Sequence, residues 1–181
     1  MAQTSDAAEI VEALTGPAGR LAREPGWIQP QFYTCDPGIG FGVTVIHEEP
    51  DHTLFVAVAA LMPGRVLPPH NHGTWSLQAG VTGLETNVSW RRLDDGSKPG
   101  YAEIEEAGRR VFGPGEVLTF LPADIHSILN ESEETVLSLD LYGLAFGYTH
   151  SSKFDPAAKT EAPVFPEPPR LPGVDGVLRT V

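Results

Sequence analysis

Cysteine is nearly absent from this chain. Cys35 stands alone among 181 residues, so no internal disulfide can form and the fold must hold by burial. Positive charge is also scarce, with 12 Lys and Arg against 24 Asp and Glu and a formal net charge of −12. A surface of that sign repels phosphates, which argues against nucleic acid and against an anionic membrane as partners. No apolar run approaches the roughly 18 residues that span a bilayer. The acidic start MAQTSDAAEIVEAL lacks the basic-then-apolar order of a secretory signal. With one thiol and no export signal, the expected location is cytoplasmic. Asn87-Val-Ser89 and Asn130-Glu-Ser132 match glycosylation acceptors, which without export are chance matches.

What is present is a 41 % hydrophobic content, enough for one full globular core. The punctuation divides the chain into three segments. Residues 1–25 form an N-terminal helical segment: a helix over the first 15 residues, with Asp6 as N-cap, Glu9 at capping-box spacing and Gly16-Pro17 as its stop. Residues 26–150 carry short β-branched or aromatic runs, with strands expected near 41–47, 53–62, 74–82, 84–92, 101–106, 116–121, 125–130 and 135–142. Turn signals such as Pro63-Gly64 and Gly113-Pro114-Gly115 separate them. Many short strands with regular turns give an all-β class: a sandwich, jelly roll or barrel. Residues 151–181 are proline-rich and are expected to run as an extended arm, because proline cannot supply a central strand.

The chemistry concentrates in Gly64-Arg-Val-Leu-Pro-Pro-His70-Asn-His72-Gly-Thr-Trp75-Ser76. On an extended strand, residues two apart share a face, so His70 and His72 form a chelating pair. His126 lies in a second strand-like run and is the third candidate ligand. His47 and His52 flank a predicted turn and read as solvated, and His150 follows the last strand of the barrel.

These two stretches resemble the two motifs of the cupin superfamily. Gly64, His70, His72 and Gly83 fall at the intervals of the first motif, with Ser76 where the family has a Glu ligand. Gly115, Pro122, His126 and Asn130 follow the second with one-residue shifts. The resemblance covers roughly residues 40–145. It implies a double-stranded β-helix (jelly-roll) barrel with a metal in its mouth, preceded by a short N-terminal helix and followed by the Pro-rich C-terminal arm. With Ser76 in place of the Glu, the ligand set is three neutral imidazoles. Such a set suits Fe(II) that must leave room for substrate and dioxygen, although zinc also accepts three histidines.

The wider string from His70 through Glu85, with Trp90-Arg91-Arg92, resembles the cysteine dioxygenase family, and within it the mercaptopropionate dioxygenases. The family's Ser-x-His-x-Tyr relay has a counterpart in Ser138-Leu-Asp140-Leu-Tyr142, and alternation puts Ser138, Asp140 and Tyr142 on one strand face. In the family the Tyr hydroxyl faces substrate and oxygen.

Three departures bear on substrate. Asp140 replaces the relay His, and an ionised Asp only accepts hydrogen bonds. Ser151 stands at one carboxylate-binding Arg position, and the other, near Thr44 and Val45, holds no Arg; Lys153 is the only nearby cation. Two negative charges about 8 Å apart at an effective dielectric of about 20 repel by about 2 kcal/mol, so cysteine and mercaptopropionate are poor substrates on this reading.

The resemblance therefore implies a mononuclear non-haem Fe(II) dioxygenase that oxidises a small thiol to a sulfinate with O2. His70, His72 and His126 would bind iron, and Tyr142, Asp140 and Ser138 would form the relay. Trp75 reads first as barrel packing and, beside Ser76, as a candidate for lining the substrate pocket, whereas Arg91 and Arg92 read as surface ion-pairing groups. Two alternatives stand beside it: a three-histidine cupin dioxygenase that cleaves a C–C bond of a diketone or hydroxyketone, and a non-catalytic small-ligand-binding cupin. Exposed cupin edges often pair, so the expected partners are a small-molecule substrate, O2 and a further copy of the chain in a homo-oligomer.

Overall fold

Asp6 accepts hydrogen bonds from the backbone N–H groups of Ala8 (2.8 Å) and Glu9 (3.2 Å), and with these bonds it opens helix α1 (Ala7–Arg23). The computed structural model describes residues 5–164 and, as backbone, 177–178. The cap is where the sequence puts it, but the helix runs through Gly16 and Pro17 instead of stopping there. Pro17 removes one backbone donor. Packing outweighs that loss: Ala18 and Ala22 are buried in one cluster with Leu77, Ala79 and Leu139, so the second half of the helix is held by the sheet beneath it.

Among the described residues, twelve strands follow, in two six-stranded sheets of antiparallel pairs. They are β1 (Phe41–Glu48), β2 (Phe55–Leu61), β3 (Val66–His70), β4 (Ser76–Thr82), β5 (Glu85–Arg92) and β6 (Ile104–Phe112). Then come β7 (Val117–Phe120), β8 (Ile125–Leu129), β9 (Val136–Tyr142), β10 (Ser152–Asp155), β11 (Thr160–Pro163) and β12 (Val177–Leu178). One sheet has the order β12-β1-β2-β9-β4-β7 and the other β11-β10-β3-β8-β5-β6. From β2 to β9 consecutive strands alternate between the sheets except at the β5–β6 hairpin, which is the winding of a double-stranded β-helix.

Three strand readings differ from the sequence expectation. β3 includes Pro68 and Pro69, and its ladder to β8 shifts between Leu67 and His70; the prolines cannot donate, so the strand survives only with an irregularity at them. β6 continues to Phe112 past Gly108, because β5 pairs with it along its whole length. The expected extended arm begins as a hairpin: β10 pairs with β11 and, at Lys153, with β3. Its single internal proline, Pro156, falls in the turn between the two strands. The remainder of the arm, apart from the backbone of β12, lies outside the described residues.

The core has an arrangement that matters for the site. On β4 and β9, the side chains Leu77, Ala79, Leu137 and Leu139 join the cluster beneath α1 and Phe32. Strand alternation then sends Ser76, Gln78, Ser138, Asp140 and Tyr142 into the barrel. The register places Ser76 opposite Tyr142, Gln78 opposite Asp140 and Gly80 opposite Ser138. Much of the apolar packing is thus on the outside of this sheet, and the inside is left polar.

Candidate metal centre

His70 ends β3 and is paired in register with His126 on β8. His72 lies beyond the strand end, in the connection to β4, so the two neighbours are not on one strand as expected. The chain turns at Gly73, where φ is +65° and an added Cβ would lie 2.7 Å from the His150 backbone. That turn brings the His72 ring 5.1 Å from His70 and 4.9 Å from His126, with His70 and His126 4.5 Å apart, all centroid to centroid. The candidate ligand nitrogens of the three lie within 4.8 Å of one another. The sequence expectation that His70, His72 and His126 converge is met.

Each imidazole has its outer nitrogen held. His70 Nδ1 lies 3.0 Å from the Pro68 carbonyl oxygen, His72 Nδ1 lies 2.5 Å from Ser76 Oγ, and His126 Nδ1 lies 2.7 Å from the Asn87 amide. Bonds of this kind fix the ring and bear on the tautomer. His70 Nδ1–H donates to the carbonyl and leaves Nε2 open, and Ser76 Oγ serves His72 Nδ1 in either tautomer. The Asn87 amide Nδ2 donates to His126 Nδ1, which puts that ring's proton on Nε2, 3.2 Å from His72 Nε2, where a metal would displace it. Burial lowers the pKa of His70, and lowers those of His72 and His126 further; at the last two, neighbouring imidazoles add to it. The rings are therefore neutral, the form that ligates, and a divalent cation fits the donor set.

Ser76 has a role the sequence left out. It lines the cavity, and its hydroxyl also holds the ring of His72, a candidate ligand. Asn87 was missed altogether. It sits inside the barrel on β5 and is buried, whereas its sequence context suggested only an acceptor triplet; its burial comes from pairing with β6 and β8, which no short-range signal announces. The other such triplet is structural as well: Asn130 donates to the Leu61 and Glu134 carbonyls (2.8 and 2.7 Å) and ties a barrel corner.

The three histidines open onto a cavity of about 260 Å³. Phe41, Leu67 and Phe146 give it apolar walls, and Gln78, Asp140 and Tyr142 line it from the barrel interior. Trp75 is not part of the wall. Alternation turns it away from Ser76, and its indole lies against Gly143, where an added Cβ would meet Nε1 at 2.4 Å. Ser151 is in the wall and buried, and its hydroxyl has no partner. Among the described residues, Lys153 is the only Lys or Arg that lines this cavity. Arg91 pairs with Glu105, and Arg92 with Asp94 (3.0 Å) and Glu161 (2.8 Å), as surface ion pairs. His150 is not in the wall. His47 bonds Glu49 at an exposed position, but His52 stacks on Tyr148 at 3.8 Å and is less solvated than the sequence suggests.

Ser138, Asp140 and Tyr142 come together as expected. The Tyr142 hydroxyl donates to Asp140 Oδ2 at 3.1 Å, and the Tyr142 ring stands 5.1 Å from that of His72. Burial pushes the Asp140 carboxyl up to about 7, against the opposing hydrogen bonds from Ser138 and Tyr142. The Tyr142 hydroxyl is held well above its ordinary value by burial and by the nearby Asp140 and Glu85 carboxyls.

No family model matches this sequence. Among solved structures, a Klebsiella pneumoniae conserved protein with a double-stranded β-helix domain superposes with a TM-score of 0.50 at 13 % identity, over 73 % of this chain and 99 % of its own. A Cupin_2 domain from an XRE family transcriptional regulator of Enterobacter cloacae gives 0.42 at 16 % identity, over 59 % and 98 %. Oxalate oxidase in complex with glycolate gives 0.47 at 17 %, over 67 % and 64 %. The structural neighbours are cupin and double-stranded β-helix proteins, and the fold is that of this class. At such identities the likeness extends to fold alone.

Proposed function

We propose that this protein is a mononuclear non-haem Fe(II) dioxygenase of the thiol-dioxygenase type, which converts a small thiol and O2 to a sulfinate. The observation that carries the reading is the set of three neutral imidazoles, each anchored through Nδ1, beside a buried Tyr–Asp pair in the same cavity wall. His70, His72 and His126 would hold the iron. Ferrous iron bound there would supply the electron chemistry that lets dioxygen react with a closed-shell substrate.

The chain's own residues do the rest. The apolar walls take the body of the substrate and exclude water, which strengthens the polar contacts inside. Tyr142 is the polar side chain whose ring lies against a ligand, and its hydroxyl orients the reacting group or stabilises charge developing there. Asp140 fixes that hydroxyl. Lys153 is an exposed point charge, weaker than a bidentate Arg clamp, so an uncharged thiol is favoured over a carboxylate-bearing one.

The same apolar wall and absent Arg support a second reading, C–C cleavage of a diketone or hydroxyketone. An oxygen-uptake screen of Fe(II)-loaded protein separates them. The thiol reading expects uptake with uncharged thiols, one O2 per sulfinate formed. Uptake with diketones alone would move the assignment to C–C cleavage, and ligand binding without uptake would leave a binding cupin.

A further inference from the structure

Glu85 begins β5 and turns its carboxyl into the barrel, where the residue is only 7 % exposed. Neither the metal centre nor the relay accounts for it. Its Oε1 accepts from Gln78 Nε2 at 2.9 Å, and the same amide nitrogen lies 3.3 Å from Ser138 Oγ. Ser138 bonds in turn to Asp140, and Asp140 accepts from Tyr142. A connected polar column thus runs down the barrel from Tyr142 beside the histidines to Glu85, with a carboxyl near each end.

Two features of this column point to a proton that it must hold. The first is charge. Among the described residues, neither carboxyl has a Lys or Arg partner; Glu85 is acted on by Asp140 and Gln78, and Asp140 by Ser138 and Tyr142. The strand on the other side of Asp140 presents Ala57 in register, and β6 presents Phe112 opposite Glu85. A void of about 10 Å³ between Gln78, Glu85 and Ser138 holds at most one water, so Glu85 is cut off from bulk water, while Asp140 meets only the cavity of the metal centre. Two uncompensated carboxylates in such surroundings cannot both stay ionised.

The second feature is hydrogen bonding. Gln78 Oε1 and Asp140 Oδ1 are buried without partners, and the two residues are directly opposed across β4 and β9. Both atoms are acceptors as ordinary groups. A proton on Asp140 makes one of this facing pair a donor, the smallest change that lets either be satisfied.

We propose that Glu85 and Asp140 form a coupled carboxyl pair that retains a proton inside the barrel through the neutral range, and that the position of this proton sets the polarity of the Tyr142 hydroxyl. With Asp140 ionised, Tyr142 must donate to it and offers only a lone pair to the cavity. A proton on Asp140 Oδ1, the oxygen on the side of Gln78 Oε1, leaves Tyr142 donating to Oδ2; moved to Oδ2, the proton lets Asp140 donate and frees the Tyr142 O–H to point at substrate. Glu85 is then a positioning residue that acts through Asp140. Its consequence for catalysis rests on the thiol-dioxygenase reading of Tyr142, whereas the shared proton does not.

Infrared titration of metal-free protein tests it. Wild type is expected to keep a protonated-carboxyl C=O signal at least one pH unit above neutrality. Glu85→Gln and Asp140→Asn, both nearly isosteric, are each expected to retain one such signal but lose it at lower pH, because the remaining carboxyl no longer faces a like charge. The tyrosine C–O band, assigned by its loss in Tyr142→Phe, is expected to move with pH in wild type and to stay fixed in Asp140→Asn. A wild type with no carboxyl signal at neutral pH overturns the proposal. So does a variant whose remaining signal persists as high as in wild type, or a tyrosine band that does not move. None of these readouts involves iron or turnover, so they fail separately from the assignment of the reaction.

Discussion

Ser76 Oγ lies 2.5 Å from His72 Nδ1. The position where the resemblance would place a carboxylate ligand is thus occupied by a residue that holds a candidate ligand, His72, from behind. His126 is held in the same way by Asn87 at 2.7 Å. The Ser and the Asn complete the neutral set without adding charge, and the metal they would orient keeps its full positive charge for an incoming anion.

The two supports can be tested together. Ser76→Ala and Asn87→Ala each release one imidazole and are expected to weaken metal affinity by about 10- to 100-fold, measured by competition with a chelator. Asn87→Ala is also expected to lower stability by roughly 1–3 kcal/mol, because it leaves the buried Nδ1 of His126 without a partner.

Tyr142→Phe keeps the ring that packs against Phe55 and Phe146 and removes only the hydroxyl. The metal content should match wild type, and turnover should fall by about 100-fold. Wild-type turnover in this variant would remove Tyr142 from the mechanism.

The Asp140 carboxyl gives a pH dependence of stability with a definite sign. Burial pushes it up to about 7, whereas an unfolded Asp loses its proton near 3.9. Between those values the folded chain binds more protons than the unfolded one. Stability from this group therefore falls as pH rises from about 4 to about 7, then levels off. Asp140→Asn removes this group's share of the slope, so the stability of the metal-free variant relative to wild type is expected to rise by about 4 kcal/mol between pH 4 and pH 8. Urea unfolding at the two pH values measures it, and an unchanged difference would contradict the shift.

Gly73→Ala places a Cβ 2.7 Å from the His150 backbone at a residue with φ of +65°. The expected cost is about 1–3 kcal/mol. Because Gly73 follows His72, metal affinity should fall with it. Thermal melts with and without added metal separate the two effects.

Much of the site was legible from spacing because few short-range constraints compete there. His70, His72 and His126 sit where two motifs put them, and the alternation of Ser138, Asp140 and Tyr142 followed from strand geometry alone. Asn87 and Glu85 were not legible as site residues, since what singles them out is burial inside the barrel, and that is fixed by pairing with β6 and β8. The N-terminal helix shows the same limit. Local chemistry ends it at Gly16-Pro17, yet contacts with β4 carry it to Arg23. Trp75 packs against Gly143 and does not line the pocket, because nearness in sequence to His72 says nothing about which way a ring at the start of β4 turns. The β10–β11 hairpin was hidden by proline content, although its one internal proline falls in a turn that tolerates it.

Metal analysis of the natively purified protein beside His126→Ala tests the central claim most directly. The account expects about one iron per chain in wild type and its loss in the variant, with both proteins folded. A wild type that carries no metal, and takes up none when Fe(II) is added without oxygen, would contradict it.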